Sequence, residues 1–144
     1  MKKAGITVFI VALMILLQSC ENVFHNDKLD YMWRLDSIEY IDGVDFNGNA
    51  CSKESKEGVW FSFARDLVKV ENKESAFGVI GILTDQGKQL TFDFSMYEDE
   101  QWSTLTNLTQ IGIDAKVALF NVTELNSKEL VLSGSKTVLR FTRW

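Results

Sequence analysis

The sequence predicts an all-β domain, built as an antiparallel meander of about eight short strands with one short helix. Apolar and polar residues alternate with a period of two, most clearly over 89–95, where Leu90, Phe92 and Phe94 share one face. The chain contains no proline. Its turns are therefore expected at pairs that tolerate a left-handed backbone, namely Asp42-Gly43, Asn47-Gly48, Gln86-Gly87 and Ser133-Gly134.

Each strand is predicted where an alternating or wholly apolar segment lies between two turns. Segments 77–83 and 116–122 are apolar on both faces, as expected of strands that are covered on their outer side. The eight predicted strands are 31–41, 58–64, 67–72, 77–84, 88–95, 116–123, 129–133 and 136–143.

A short helix is predicted over 98–110, where the strand pattern is interrupted. Trp102, Leu105 and Leu108 fall at helical spacing. The preceding Glu98-Asp99-Glu100 triplet suits the first turn of a helix, where negative charge is favoured. We interpret the triplet as a solvated cap rather than a cation site.

Eight antiparallel strands with one apolar face can close into a barrel or fold as a sandwich of two sheets. Closure leaves no exposed strand edge. At this strand number, the interior of a barrel is either filled by side chains or holds one small ligand.

The start of the chain has the pattern of an export signal. Lys2 and Lys3 precede an apolar run, 4–17, that is short for a membrane span. The following Leu17-Gln18-Ser19-Cys20 resembles the lipobox of bacterial lipoproteins. This resemblance implies cleavage before Cys20 and acylation of that residue, and two or more acyl chains anchor a protein stably. A conventional signal with an ordinary cysteine is the alternative.

The chain is therefore divided into a signal peptide (1–19), an acylated cysteine with a polar tether (20–30) and the folded domain (31–144). We expect an exported protein that is attached to the cell envelope through Cys20, at the outer rather than the inner membrane. The second cysteine, Cys51, is then left without an intrachain partner, so the domain must rely on its core for stability.

The charge balance argues against nucleic acid as a partner. Cleavage before Cys20 removes two lysines and no acid from the 15 basic and 20 acidic residues, leaving 13 and 20. Affinity for phosphate backbones rests on basic patches, and no such patch is interleaved with aromatic residues here.

No group of residues predicts catalysis, a cofactor or a metal site. The single histidine, His25, lies in the tether, and Cys51 has no histidine partner in the domain. Part of a calcium-loop pattern occurs over 43–54, with Asp45 and Glu54 at ligand positions. Because Gly43 stands where the first ligand belongs, we interpret this segment as a polar connection. We expect no enzyme.

Residues at both ends of the domain carry a family resemblance. The first strand contains Trp33-Arg34-Leu35, an Asp-Gly turn follows it, and Thr137-Val138-Leu139-Arg140-Phe141-Thr142-Arg143 closes the chain. Together with the short amphipathic strands, this is similar to the small lipocalin-like lipoproteins of Bacteroidetes-type bacteria. The resemblance implies a closed barrel.

The same resemblance implies a cation–π contact of Trp33 with Arg140 or Arg143 at the barrel floor. The alternative is that Trp33 is simply a core aromatic residue. Tyr31 occupies the position at which classical lipocalins place a glycine.

The predicted function is the binding of a small, largely apolar ligand by an aromatic-lined interior. The alternative is an interior filled by its own phenylalanines, with the outer surface contacting a protein partner through Trp60 and Trp102 as exposed anchors. The predicted ligand-binding residues are Trp33, Phe61, Phe63, Phe77, Phe92, Phe94 and Phe141.

Overall fold

The structure is a computed structural model that describes residues 27–95 and 105–144. Strands make up most of the described chain, and one short helix interrupts them. The strands are β1 (Met32–Tyr40), β2 (Lys53–Ser55), β3 (Val59–Ala64), β4 (Leu67–Asn72), β5 (Phe77–Asp85), β6 (Gln89–Asp93), β7 (Val117–Leu125), β8 (Glu129–Ser133) and β9 (Thr137–Arg143), and the helix α1 is Leu105–Thr109.

The strands form a closed antiparallel barrel. From β3 to β9 every strand pairs with the next one along the chain, and β1 pairs with both β3 and β9. The short β2 pairs only with the second half of β1, so it extends an eight-stranded barrel. The predicted all-β barrel of about eight strands with one short helix is confirmed. Strand β2 was not predicted, because its three residues are all polar and show no alternation of apolar and polar side chains.

A bulge in β1 changes which side chains face the interior. Against β9, the pairing shifts between Leu35 and Ser37 and leaves Asp36 as the extra residue. Inward positions therefore change from odd to even numbers along β1, so that Trp33 and Leu35 precede Ile38 in the core. The Asp36 carboxylate accepts a hydrogen bond from the Thr142 hydroxyl, which fixes the bulge to β9.

The two ends of the barrel are closed by segments outside the sheet. At the end where β1 begins, called the tether end, Leu29 is buried in the core. This residue belongs to the segment that the sequence analysis assigned to the tether. At the opposite end, called the helix end, α1 and the turn after it bury Leu108, Ile111 and Ile113. The barrel core therefore continues past the strands at both ends.

Only the last part of the predicted helix, 98–110, can be compared with the structure. Leu105–Thr109 is helical, as predicted. The acidic triplet at 98–100 and Trp102 lie outside the described residues.

Candidate functional site

The predicted ligand-binding residues all lie in the barrel interior. Each is at most 6% exposed. They come from five strands and from the residue after β6, and the alternation predicted for 89–95 places Phe92 and Phe94 inward as expected. The residues in question are Trp33, Phe61, Phe63, Phe77, Phe92, Phe94 and Phe141.

Phe92 is the centre of a connected cluster of rings. Its ring centroid lies 5.8 Å from that of Phe63, 6.3 Å from that of Phe94 and 6.4 Å from that of Phe61. These are the separations of aromatic rings packed against one another. The interior of the barrel is thus filled where these rings meet.

The cluster continues beyond Phe92 in two directions. Phe141 joins it through Phe61, at 4.9 Å between centroids and nearly edge to face. Phe120, on β7, lies 5.1 Å from Phe92. Among the described residues, Trp33 and Phe77 form no ring-to-ring contact with this cluster. The predicted set therefore forms one cluster of five rings and two separate aromatic residues.

Phe120 is an interior aromatic residue that the sequence analysis did not assign to the site. It is 2% exposed, and its ring lies where a side chain on Gly134 would be. The segment 116–122 is apolar on both faces, so alternation alone could not tell which of its residues point inward. Only the pairing of Phe120 with Leu90 across β6 and β7 fixes its face.

The cation–π contact that the resemblance implied for Trp33 is not formed, and Trp33 is a core aromatic residue, as the alternative holds. The indole N–H of Trp33 donates to the Leu29 carbonyl at 3.1 Å, and the ring is fully buried. Arg143 lies opposite Trp33 in the β1–β9 pairing, but its guanidinium lies over the Tyr31 ring, 3.2 Å from the centroid. A guanidinium held deep in the core would lose its hydration, whereas the rim beside Tyr31 keeps it in contact with water.

The other candidate, Arg140, points to the outer surface. Its Nε donates to the Glu39 carboxylate at 2.7 Å. The pKa of Glu39 is lowered from its ordinary value, chiefly by this hydrogen bond. The pair joins β1 to β9 and has no part in the interior.

Four surface clefts are formed by described residues, with volumes of 210 to 450 Å³. None of these four is lined by any of the seven predicted ligand-binding residues. The smallest is lined by Phe120, Thr137 and Gly134 and lies at the helix end. Because Phe120 also packs on Phe92, this cleft is the one of the four that adjoins the ring cluster.

Polar groups at the helix end serve the fold. The Tyr40 hydroxyl donates to the Glu54 carboxylate at 3.1 Å, and burial raises the pKa of Tyr40 strongly. The loop that was compared with a calcium site folds around Asp45, whose carboxylate accepts the backbone N–H groups of Asn47 and Asn49 at 2.9 and 2.8 Å. The Asn49 N–H is the main cause of the lowered pKa of Asp45. These bonds fix the turn at 45–49.

Two residues that bear on the anchor and on catalysis lie in the part of the chain before residue 27. Cys20 and His25 lie outside the described residues. Over residues 27–95 and 105–144, no cluster of three His, Cys, Asp or Glu side chains could hold a metal ion. No helix in the same ranges is long and apolar enough to cross a membrane. Cys51 is a free, half-buried thiol.

The family model described as a lipocalin-like domain matches residues 14–144. A lipocalin-like protein from Bacteroides uniformis ATCC 8492 has a similar crystal structure, with a TM-score of 0.61 and 18% identity over 81% of this chain and 99% of that chain.

An uncharacterized protein from Bacteroides eggerthii DSM 20697 is similar to the same extent. Its TM-score is 0.63 and its identity 16%, over 81% of this chain and 99% of that chain. At such identities, the two likenesses concern the fold. No curated protein matches the chain.

Proposed function

The chain belongs to the lipocalin-like domain family, and from this premise we propose that it is a lipid-anchored binding protein of the bacterial cell envelope whose barrel takes up a small, largely apolar ligand. The observation that carries the proposal is the buried aromatic interior of a barrel whose fold suits ligand binding. We propose no catalytic activity and no cofactor.

The anchor is proposed from the lipobox. Acylation of Cys20 after removal of residues 1–19 would attach the domain to a membrane, with the outer membrane as the proposed location. Leu29 is already part of the core, so the proposed tether ends before Leu29. The barrel would therefore stay close to the membrane surface.

The proposed ligand has to displace side chains, because the rings around Phe92 touch one another. Burial of an apolar ligand contributes roughly 25 cal/mol per Å² of apolar surface. The same rings lose their mutual contacts when they move apart. We therefore propose a ligand that presents a thin, apolar surface to the cluster, such as an acyl chain, rather than a bulky polar one.

A second candidate function follows from the close packing itself. All seven predicted residues are nearly or fully buried, and none of them lines any of the four surface clefts. A barrel filled in this way would act through its outer surface on a protein partner. For this alternative, Trp60 was expected to be exposed. That prediction is wrong, since Trp60 is only 9% exposed.

Native mass spectrometry of the acylated protein, extracted in detergent from cell envelopes, tests the proposal. Two variants accompany the wild type. Phe92→Trp enlarges a ring at the centre of the cluster, and Leu119→Trp makes a comparable change at an exposed position on β7. The denatured mass of each protein gives the acyl chains on Cys20 independently of any bound ligand.

We expect an additional non-covalent mass on the wild type and on Leu119→Trp, and its loss from Phe92→Trp. Circular dichroism establishes that Phe92→Trp is folded. A wild-type native mass equal to that of the protein alone, with no uptake from an envelope lipid extract, would overturn the proposed ligand binding. The second candidate function would then remain. A denatured mass without acyl chains would overturn the anchor.

A further inference from the structure

An apolar face lies on the outside of the barrel near the tether end. It is formed by Met32, Trp60, Leu67, Ile80 and Trp144, and is called the tether-end face. Trp144 is 76% exposed, and Met32, Leu67 and Ile80 are each about 40% exposed. These residues come from β1, β3, β4, β5 and the chain end, so the sheet itself brings them together.

The strand register places these residues on one side of the sheet, with Ser62 and Lys69 between Met32 and Ile80. Met32 lies opposite Ser62, Ser62 opposite Lys69, and Lys69 opposite Ile80. Neighbouring strands are about 4.8 Å apart, so Met32 and Ile80 are separated by roughly 15 Å on one side of the sheet. Leu67 is two residues before Lys69 and points to the same side.

Trp144 is held in place at the edge of this face. Its backbone N–H donates to the Met32 carbonyl at 3.0 Å. Its ring meets the Trp60 ring edge to face, at 4.8 Å between centroids. The Trp60 indole N–H is buried and has no hydrogen-bond partner among the described residues. The pair of rings is thus ordered, while most of the Trp144 surface remains free.

One cation lies beside Trp60, and a second lies beside Tyr31, the residue before Met32. The Lys73 ammonium lies 5.3 Å from the Trp60 ring centroid, and the Arg143 guanidinium lies over Tyr31. Within the described ranges, neither side chain forms an ion pair with a carboxylate. Tryptophan and tyrosine with nearby basic residues are typical of surfaces at the level of lipid headgroups.

The described chain begins at this end of the barrel, shortly before Leu29. Leu29 is fixed in the core by its side chain and by the Trp33 indole N–H. Cys20 precedes it by nine positions in the sequence, which is at most about 32 Å of extended chain. An anchor on Cys20 would therefore keep the tether end within a short distance of the membrane, where even a weak contact is formed at high effective concentration.

From these observations we infer that the tether-end face lies on the lipid headgroup layer, with the Trp144 ring inserted at its surface. The inference rests on the proposed acylation of Cys20. Four exposed side chains beside the buried Trp60 offer a small area compared with the roughly 800 Å² that each partner buries in a stable protein interface. A tethered membrane contact needs no such area.

The test uses spin labels on the acylated protein reconstituted in vesicles of phosphatidylethanolamine and phosphatidylglycerol. Both labelled variants carry Cys51→Ser, so that the label reacts at one position. Met32→Cys places the label on the tether-end face, and Leu119→Cys places it at an exposed position on β7 as the matched control. Accessibility to a water-soluble nickel complex is measured in each case, and flotation with the vesicles reports the anchor.

We expect nickel accessibility at position 32 to fall several-fold on reconstitution, and that at position 119 to stay unchanged. Adding Trp144→Ser to Met32→Cys is expected to restore much of the accessibility. Equal accessibility at both positions in protein that floats would overturn the inference and leave the anchor standing. Spin–spin broadening at position 32 that persists on dilution with unlabelled lipid would assign the face to a second copy instead. Protein that fails to float would overturn the proposed anchor together with the inference.

Discussion

The two ends of the barrel are closed in different ways. At the tether end, one side chain ahead of β1, Leu29, enters the core, and the Trp33 indole N–H holds its carbonyl. At the helix end, the connection between β6 and β7 buries three side chains, Leu108, Ile111 and Ile113. The first closure belongs to a short segment that leads into β1. The second is attached to a strand at each of its ends.

This difference indicates which end is more firmly closed. Each fully buried Leu or Ile contributes about 1.5–3 kcal/mol, so the helix end gains more from burial. A hydrogen bond from the Thr137 hydroxyl to the Gly112 carbonyl, at 2.6 Å, adds a buried polar contact there. We therefore expect the tether end to open more readily, and substitutions at the helix end to cost more stability.

The largest effect is expected from Gly112→Ala at the helix end. A Cβ on Gly112 would clash with a methyl carbon of Leu139, which is itself fully buried. The positive φ of Gly112, 83°, adds strain for any side chain. We expect a loss of about 3 kcal/mol in the free energy of unfolding, measured by urea titration.

Gly48→Ala is the matched control for Gly112→Ala. Gly48 has nearly the same φ, 85°, but no atom within 4 Å of the added Cβ. Gly48→Ala should therefore lower the free energy of unfolding only by the cost of a side chain at positive φ, about 1–2 kcal/mol. Equal losses for the two variants would show that close packing at Gly112 does not hold the helix end.

Leu29→Ala tests the tether end. Removing the buried side chain leaves a cavity, and Leu→Ala changes in cores cost about 2–5 kcal/mol. We expect a loss of free energy of unfolding near the lower limit, because a short segment outside the strands can relax into the cavity. Leu119→Ala, at a position that is 53% exposed, should change the free energy of unfolding by less than about 0.5 kcal/mol. A loss for Leu29→Ala larger than that for Gly112→Ala would reverse the comparison.

Thr137→Val isolates the single hydrogen bond at the helix end. The change keeps the shape of the buried side chain but removes the donor to the Gly112 carbonyl. We expect a loss of about 1–2 kcal/mol, since a buried carbonyl is left without its partner. Urea titration measures it, and amide exchange of Ile113 should become faster. Unchanged exchange would mean that this bond does not secure the segment.

The smallest effect on stability is expected from the Glu39–Arg140 pair, which joins β1 to β9 on the outer surface, away from both closures. The pKa of Glu39 is lowered in the folded protein by the Arg140 hydrogen bond. Its contribution to stability is therefore fully present above the ordinary glutamate pKa and lost as the pH falls through the lower, folded-state value. Both side chains are partly exposed, so the contribution should stay below about 0.5 kcal/mol.

Glu39→Gln measures this contribution. The difference in the free energy of unfolding between wild type and variant should be largest near neutral pH and vanish in acid. A difference that grows as the pH falls would contradict the assigned direction.

The sequence was sufficient to predict the barrel but not its closures. Alternation is a local property, so Leu90, Phe92 and Phe94 identify an inward face without knowledge of any other strand. Neither Leu29 nor Gly112 has a local pattern that marks it as part of a closure. Their roles depend on distant residues, Trp33 for the first and Leu139 for the second.

Alternation is also insufficient to predict the burial of Trp60 on the outer surface and the inward position of Phe120. Trp60 lies on the outer side of β3, as alternation predicts, but the last residue of the chain, Trp144, packs against it. Phe120 faces the interior from a strand whose two faces are equally apolar in sequence. Long-range packing decides both cases, and a single sequence does not encode it in its spacing.

A crystal structure of the mature protein, purified from cell envelopes without removal of bound lipid, tests the central claim most directly. The distance to measure is that between the Phe92 and Phe120 ring centroids, 5.1 Å in the filled barrel. A ligand-binding barrel predicts rings that have moved apart, with continuous electron density between them. Rings at the same separations with no density between them would contradict ligand binding and identify the interior as a packed core.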